Sequence, residues 1–194
     1  MNDGYMIVAT IVVALLVLLA LQRGIGATKI QSPRLAFLNL KGAAADQILA
    51  EDKGALASMF GAVQESSASP PPCDVLFIYC DIGGDGRISG TGAGLRDIIR
   101  DSGARVVVIA SENPTQGYIA AAKKTGYGQA NLVMTLDRRG AVFSAFFSRL
   151  FALMMRGTSM PIAWVKLAPQ IPGHDHPDCP GSIFAAEAGQ IAFK

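Results

Sequence analysis

Asp74-Val75-Leu76-Phe77-Ile78-Tyr79-Cys80, followed by Asp81-Ile82-Gly83-Gly84-Asp85-Gly86, is the stretch that decides the fold. The apolar run is too short for a helix and shows no polar alternation, so it reads as a buried strand. The glycines after it allow a tight loop that bulkier residues could not build. Outward on the carboxyl side, Gly92 to Ser102 reads as a helix with Leu95, Ile98 and Ile99 inward and Arg96 and Arg100 outward. Ala104 to Ala110 is a second buried strand. After Glu112-Asn113-Pro114 the spacing predicts a helix from Thr115 to Lys124, then a short strand over Asn131 to Thr135. Phe143 to Arg156 reads as a helix with Phe143, Phe146, Phe147, Leu150, Phe151 and Met154 on one stripe. That stripe suits a core or a subunit interface.

On the amino side, Leu35 to Leu40 is a strand, and Ala50 to Gln64 carries Leu56, Met59, Phe60 and Val63 at helical spacing. Pro70-Pro71-Pro72 forces a loop. After Pro161 the chain is mixed, with a polar loop through His174, His176, Asp178 and Cys179 and a last strand within Ser182 to Phe193. Short apolar strands alternating with helices imply parallel pairing through right-handed crossovers. The class is α/β.

The 194 residues suffice for one domain with an ordinary core. A net charge of +2 without a basic run gives no footprint for nucleic acid. Three scattered cysteines, Cys73, Cys80 and Cys179, make neither a disulfide framework nor a CxxC zinc site. The two histidines share one Pro-bounded loop with no second ligand cluster, so no metal is expected. No Gly-Lys-Ser/Thr follows the Gly84–Gly94 glycines, which argues against a nucleotide. No cofactor is expected.

Hydrophobic residues reach 51%, and much of the excess lies at the start. Tyr5 to Leu21 is a run of seventeen residues without a charge. At about 1.5 Å per residue it is just long enough for a bilayer core of roughly 30 Å. The segment before it has an acid and no base, unlike a signal peptide, and Arg23, Lys29, Arg34 and Lys41 follow it. This predicts an uncleaved single-pass anchor over 1–24, a juxtamembrane linker over 25–33 and a domain over 34–194 on the cytoplasmic side.

Two stretches resemble one superfamily. Asp74 to Asp85 is similar to the strand and Gly-Gly turn of Clp-type and signal-peptide-peptidase-type serine peptidases. Ala104 to Ala122 is similar to the strand and Ala-rich helix that carry their Ser-x-Gly nucleophile, here Thr115-Gln116-Gly117. Asn131 to Met134 and Arg139-Gly140 resemble the next strand and turn, and the likeness covers residues 34–145. It implies a ClpP/crotonase-like fold of repeated βαβ units, with homo-oligomers acting on peptides or membrane-protein fragments. In that setting Thr115 would be the nucleophile and Lys166 the base. Backbone amides of Gly83, Gly84 and Gln116 would form an oxyanion hole at a helix start. The departures are Thr115 for Ser, Ile82 for Pro and the lack of a Clp-type His.

Each residue also has a plainer reading. Thr115 could be a helix cap, Lys166 a solvated lysine, and Gly83-Gly84 an ordinary turn. Ser111 is an alternative nucleophile at a strand end. Cys80, at the end of a central strand, resembles the nucleophile of a CHAT-type caspase-like protease, with Lys41 standing where its His would be; the alternative is a buried thiol packing as a small hydrophobe. Loss of the base favours a non-catalytic scaffold or binding protein as the second reading of the whole chain.

Overall fold

The computed structural model describes residues 27–123, 129–168 and 180–194. Eight strands are seen among them: β1 (Thr28–Ile30), β2 (Arg34–Asn39), β3 (Ala62–Ser66), β4 (Val75–Tyr79), β5 (Val106–Ile109), β6 (Asn131–Asp137), β7 (Gly181–Ala186) and β8 (Ile191–Phe193). The α-helices are α1 (Asp46–Leu56), α2 (Leu95–Ser102), α3 (Thr115–Lys123), α4 (Ala141–Met155) and α5 (Met160–Leu167).

One six-stranded sheet runs β3-β2-β4-β5-β6-β7. β2 to β6 are parallel and β7 is antiparallel to β6. The apolar runs are continuous because both faces of the sheet are covered. Leu35, Phe37, Val75, Phe77, Tyr79, Val106, Val108 and Val133 face a first core shared with α1, α4, α5 and β8. The alternate residues Ala36, Leu38, Leu76, Ile78, Cys80, Val107, Ile109 and Leu132 face a second core shared with α2 and α3. Phe77 anchors the first core, with ring centroids 5.4 Å from Phe147, 5.6 Å from Phe37 and 6.3 Å from Phe143. The Phe143–Met154 stripe is thus core: each of its six members is fully buried within the chain.

Strand order reverses between β2 and β4, as in doubly wound sheets, and that switch point is where such folds usually place a ligand.

Four expectations change. Helix was expected from Ala50 to Gln64, but α1 ends at Leu56 and Phe60 turns extended. Val63 then lies in β3, paired with Leu35 of β2, so sheet pairing overrides local helical spacing. The 25–33 linker contains β1, which pairs in parallel with β8. The last strand is two strands, and β8 leaves the main sheet to join β1. Finally, α5 fills part of the region read as mixed, with Pro161 accepted in its first turn, where a missing N–H costs nothing. Among the described residues no helix is long and apolar enough to cross a membrane. The anchor expected over 1–24 lies outside them, as do His174, His176, Asp178 and Cys179.

Candidate functional site

The carboxyl ends of β4, β5 and β6 meet in a closed polar network. Ser111, just past β5, donates its hydroxyl to the Cys80 carbonyl at 2.5 Å and accepts the Cys80 amide at 2.9 Å. Asn113 accepts the Ile82 amide at 2.7 Å and donates to the carbonyls of Cys80 and Ser111 at 3.1 and 3.2 Å. Tyr118, on the first turn of α3, donates to the Thr135 carbonyl at 2.9 Å. Ser111, Asn113 and Tyr118 are all buried. Side chains therefore satisfy backbone groups at the strand ends where the ladder stops.

The switch point is filled as well. Lys41, following β2, places its Nζ 2.6 Å from the Asp81 carboxylate, following β4. Asn39 ties itself to Gly42 and Asp46 and accepts the Lys41 amide. The structure thus brings Lys41 to the Cys80 end of β4, but its ammonium pairs with Asp81.

Behind Tyr79 and Ala110, facing the first core, lies an ion pair missed by the sequence reading. Arg138 Nη2 is 2.6 Å from Asp52, and Tyr79 donates its hydroxyl to the other Asp52 oxygen at 2.6 Å. Arg138 Nη1 donates to the Ala110 carbonyl at 2.9 Å, and its guanidinium lies 4.1 Å from the centre of the Phe143 ring. The Arg138 amide donates to Glu112. Burial raises the Asp52 carboxyl above its ordinary range, with the Arg138 and Tyr79 hydrogen bonds pulling the other way. The partners are 86 residues apart in sequence, so no local spacing signals them.

The two glycine-bearing segments do meet. A Cβ at Gly117 would stand 2.9 Å from the Ile82 carbonyl oxygen, and one at Gly86 2.4 Å from the Ala121 nitrogen. Yet the backbone atoms that Ile82 and Gly83 turn toward Gly117 are carbonyl oxygens. The Gly83 amide, expected in an oxyanion hole, instead donates to the Arg87 carbonyl at 2.9 Å and closes its own turn. Gly84 is exposed at that turn.

Thr115 and Gln116 open α3 on the surface, and among the described residues no acid, amine or imidazole is bonded to the Thr115 hydroxyl. Lys166, read as the base, sits exposed on α5. Met160 and Ala163 of α5 pack in the first core and Tyr118 and Ala121 of α3 in the second, so the sheet stands between Lys166 and Thr115. Ser111 is held at both ends by Cys80. Cys80 itself is fully buried and its thiol is pushed up to about 12, chiefly by desolvation. A reactive thiol needs the opposite environment.

No family model, curated protein or solved structure matches this chain.

Beside the Gly86 turn is a cleft of about 200 Å³ lined by Arg87, Gly92, Gly94, Leu95, Arg96 and Asp97. It is smaller than the roughly 300–1,000 Å³ of ordinary small-molecule pockets. Arg87 donates to the Gly92 carbonyl, and Asp97 caps Gly94, so part of its polar lining is already engaged.

Proposed function

We propose that this chain is a membrane-anchored, non-catalytic binding or assembly module built on an α/β domain. The observation that carries this reading is the Ser111–Cys80 lock. The Ser111 hydroxyl is consumed in tying the Cys80 backbone at the end of β4 to the end of β5, and the Cys80 thiol is fully buried. Nucleophilic catalysis needs a hydroxyl or thiol in reach of a base, and the expected partner Lys166 belongs to the opposite face of the sheet. Filling of the switch point by Lys41, Asp81 and Asn39 supports the same conclusion.

One open, doubly wound sheet with Cys80 closing a central strand agrees better with the caspase-like resemblance than with the ClpP/crotonase-like one. The positions that would carry chemistry in the caspase-like case serve here as structural ties: the Cys80 backbone is held by Ser111, and Lys41 pairs with Asp81. The exposed Gly83–Gly94 loop and the start of α3 leave a surface suited to a polypeptide segment, whereas a small cofactor would find no deep pocket in the Arg87–Asp97 cleft.

The test is treatment of the full chain with a fluorophosphonate and with iodoacetamide, followed by peptide mapping and an assay of peptide hydrolysis. The expected result is no label at Thr115, Ser111 or Cys80 and no difference in hydrolysis between wild type and Thr115→Ala. Labelling of Thr115, or hydrolysis lost in Thr115→Ala, would restore the peptidase reading.

A further inference from the structure

We propose that the outward face of α5, with the adjoining β1–β8 ribbon, rests on an anionic lipid surface. This rests on the reading of Tyr5–Leu21 as a membrane anchor. Six residues, 22 to 27, separate that run from β1. Fully extended, they span at most about 20 Å. A spanning Tyr5–Leu21 therefore keeps Thr28 close to the headgroups.

β1 pairs along its length with β8, Lys29 opposite Ala192 and Ile30 opposite Phe193. α5 packs on β8 in turn. The three elements are contiguous, so whatever holds β1 near the bilayer holds α5 there too. On α5, Met160 and Ala163 point into the core, while Val165 is 61% exposed and stands next to exposed Lys166. Val165 is the most exposed of the large hydrophobic residues among those described. Ile162, three residues earlier and half-buried, extends the same apolar strip. Trp164 turns inward from this strip and is half-buried against the first core, its ring 4.8 Å from Phe184 and 5.1 Å from Phe146.

The charge agrees with an anionic partner. Segments 28–33, 160–168 and 180–194 carry Lys29, Lys166 and Lys194, all exposed, against the single acid Glu187. A short helix with an exposed apolar strip and lysines at its border has the character of an interfacial helix. Lysines this close to a membrane are drawn to anionic headgroups. On this inference Lys166 is a headgroup contact.

Trp164 is the chain's one tryptophan, so its emission reports how close α5 lies to the lipid. The full chain is reconstituted in vesicles of phosphatidylcholine and phosphatidylglycerol, with or without bromine at a shallow position of the acyl chains. Expected is quenching of Trp164 emission by the brominated lipid, and loss of that quenching in Val165→Glu/Lys166→Glu. Near-UV circular dichroism checks that the surface variant stays folded. Emission that ignores bromine, in protein that withstands a carbonate wash, overturns the docking face while leaving the anchor intact. Quenching unchanged in the double variant overturns it too. Release by carbonate shows that the anchor reading itself fails, and the inference falls with it.

Discussion

Replacing Arg138 with Met should reveal how much the strand-end architecture depends on one ion pair. The substitution removes the guanidinium 2.6 Å from Asp52, the donor to the Ala110 carbonyl and the cation beside Phe143, while keeping an apolar stem of similar reach. Asp52 is fully buried, so it would be left as a carboxylate with Tyr79 as its remaining partner of this network. Breaking a buried pair from one side costs about 3–5 kcal/mol.

The variant has an escape that gives it a signature. Burial already raises the Asp52 carboxyl, and loss of Arg138 removes the largest opposing influence. The folded variant should therefore bind a proton where the unfolded chain does not. With more protons bound in the folded state, stability falls as pH rises through the folded pKa and is recovered on acidification toward the unfolded carboxylate range. The slope from this one group is at most about 1.4 kcal/mol per pH unit. Urea unfolding of the full chain in detergent, followed by near-UV circular dichroism between pH 5 and pH 8, measures both quantities. Asp52→Asn/Arg138→Met should abolish the added slope. A cost below about 1 kcal/mol, or a pH profile identical to that of the double variant, would refute the reasoning that the pair is desolvated and coupled.

Other outcomes follow from the same geometry. Ser111→Ala should cost about 1–3 kcal/mol, because the buried Cys80 amide loses its side-chain partner and the carbonyl keeps only Asn113; an unchanged urea midpoint would show that the amide pairs elsewhere. Gly86→Ala should cost about 2–5 kcal/mol, since its φ is +78° and the new methyl would meet the α3 backbone. Gly84→Ala, with open space around it, should cost under about 1 kcal/mol, and equal losses at both sites would contradict the close approach of loop and helix. Burial pushes the Cys73 and Cys80 thiols up to about 12, which keeps both in the unreactive protonated form at pH 8. Iodoacetamide should spare both in the native chain and modify both in urea, and native labelling of Cys80 would sink the structural reading of that residue.

Much of the architecture was legible in the chain itself. The strands at Asp74–Cys80 and Ala104–Ala110 are continuous apolar runs because their residues are buried on both sides, and the α4 stripe announced a core-facing helix through its period. The glycine at 117 sits against the Ile82 and Gly83 carbonyl oxygens as no larger residue can. What the sequence alone determined was thus composition-driven: which segments bury, with what periodicity, and where the backbone must turn tightly.

Only the tertiary structure decided which groups point at which. The direction of the Gly83 amide depends on Arg87 closing the turn, the role of Ser111 on its distance from Cys80 across a sheet, and the fate of Lys166 on which side of that sheet α5 packs. Asp52 and Arg138 find each other across 86 residues because folding brings α1 beneath the end of β6. Patterns of hydrophobicity report burial, which is a property of a residue and its near neighbours. Hydrogen bonds and ion pairs are properties of two distant residues at a fixed separation, and the chain carries no local mark of them until it has folded.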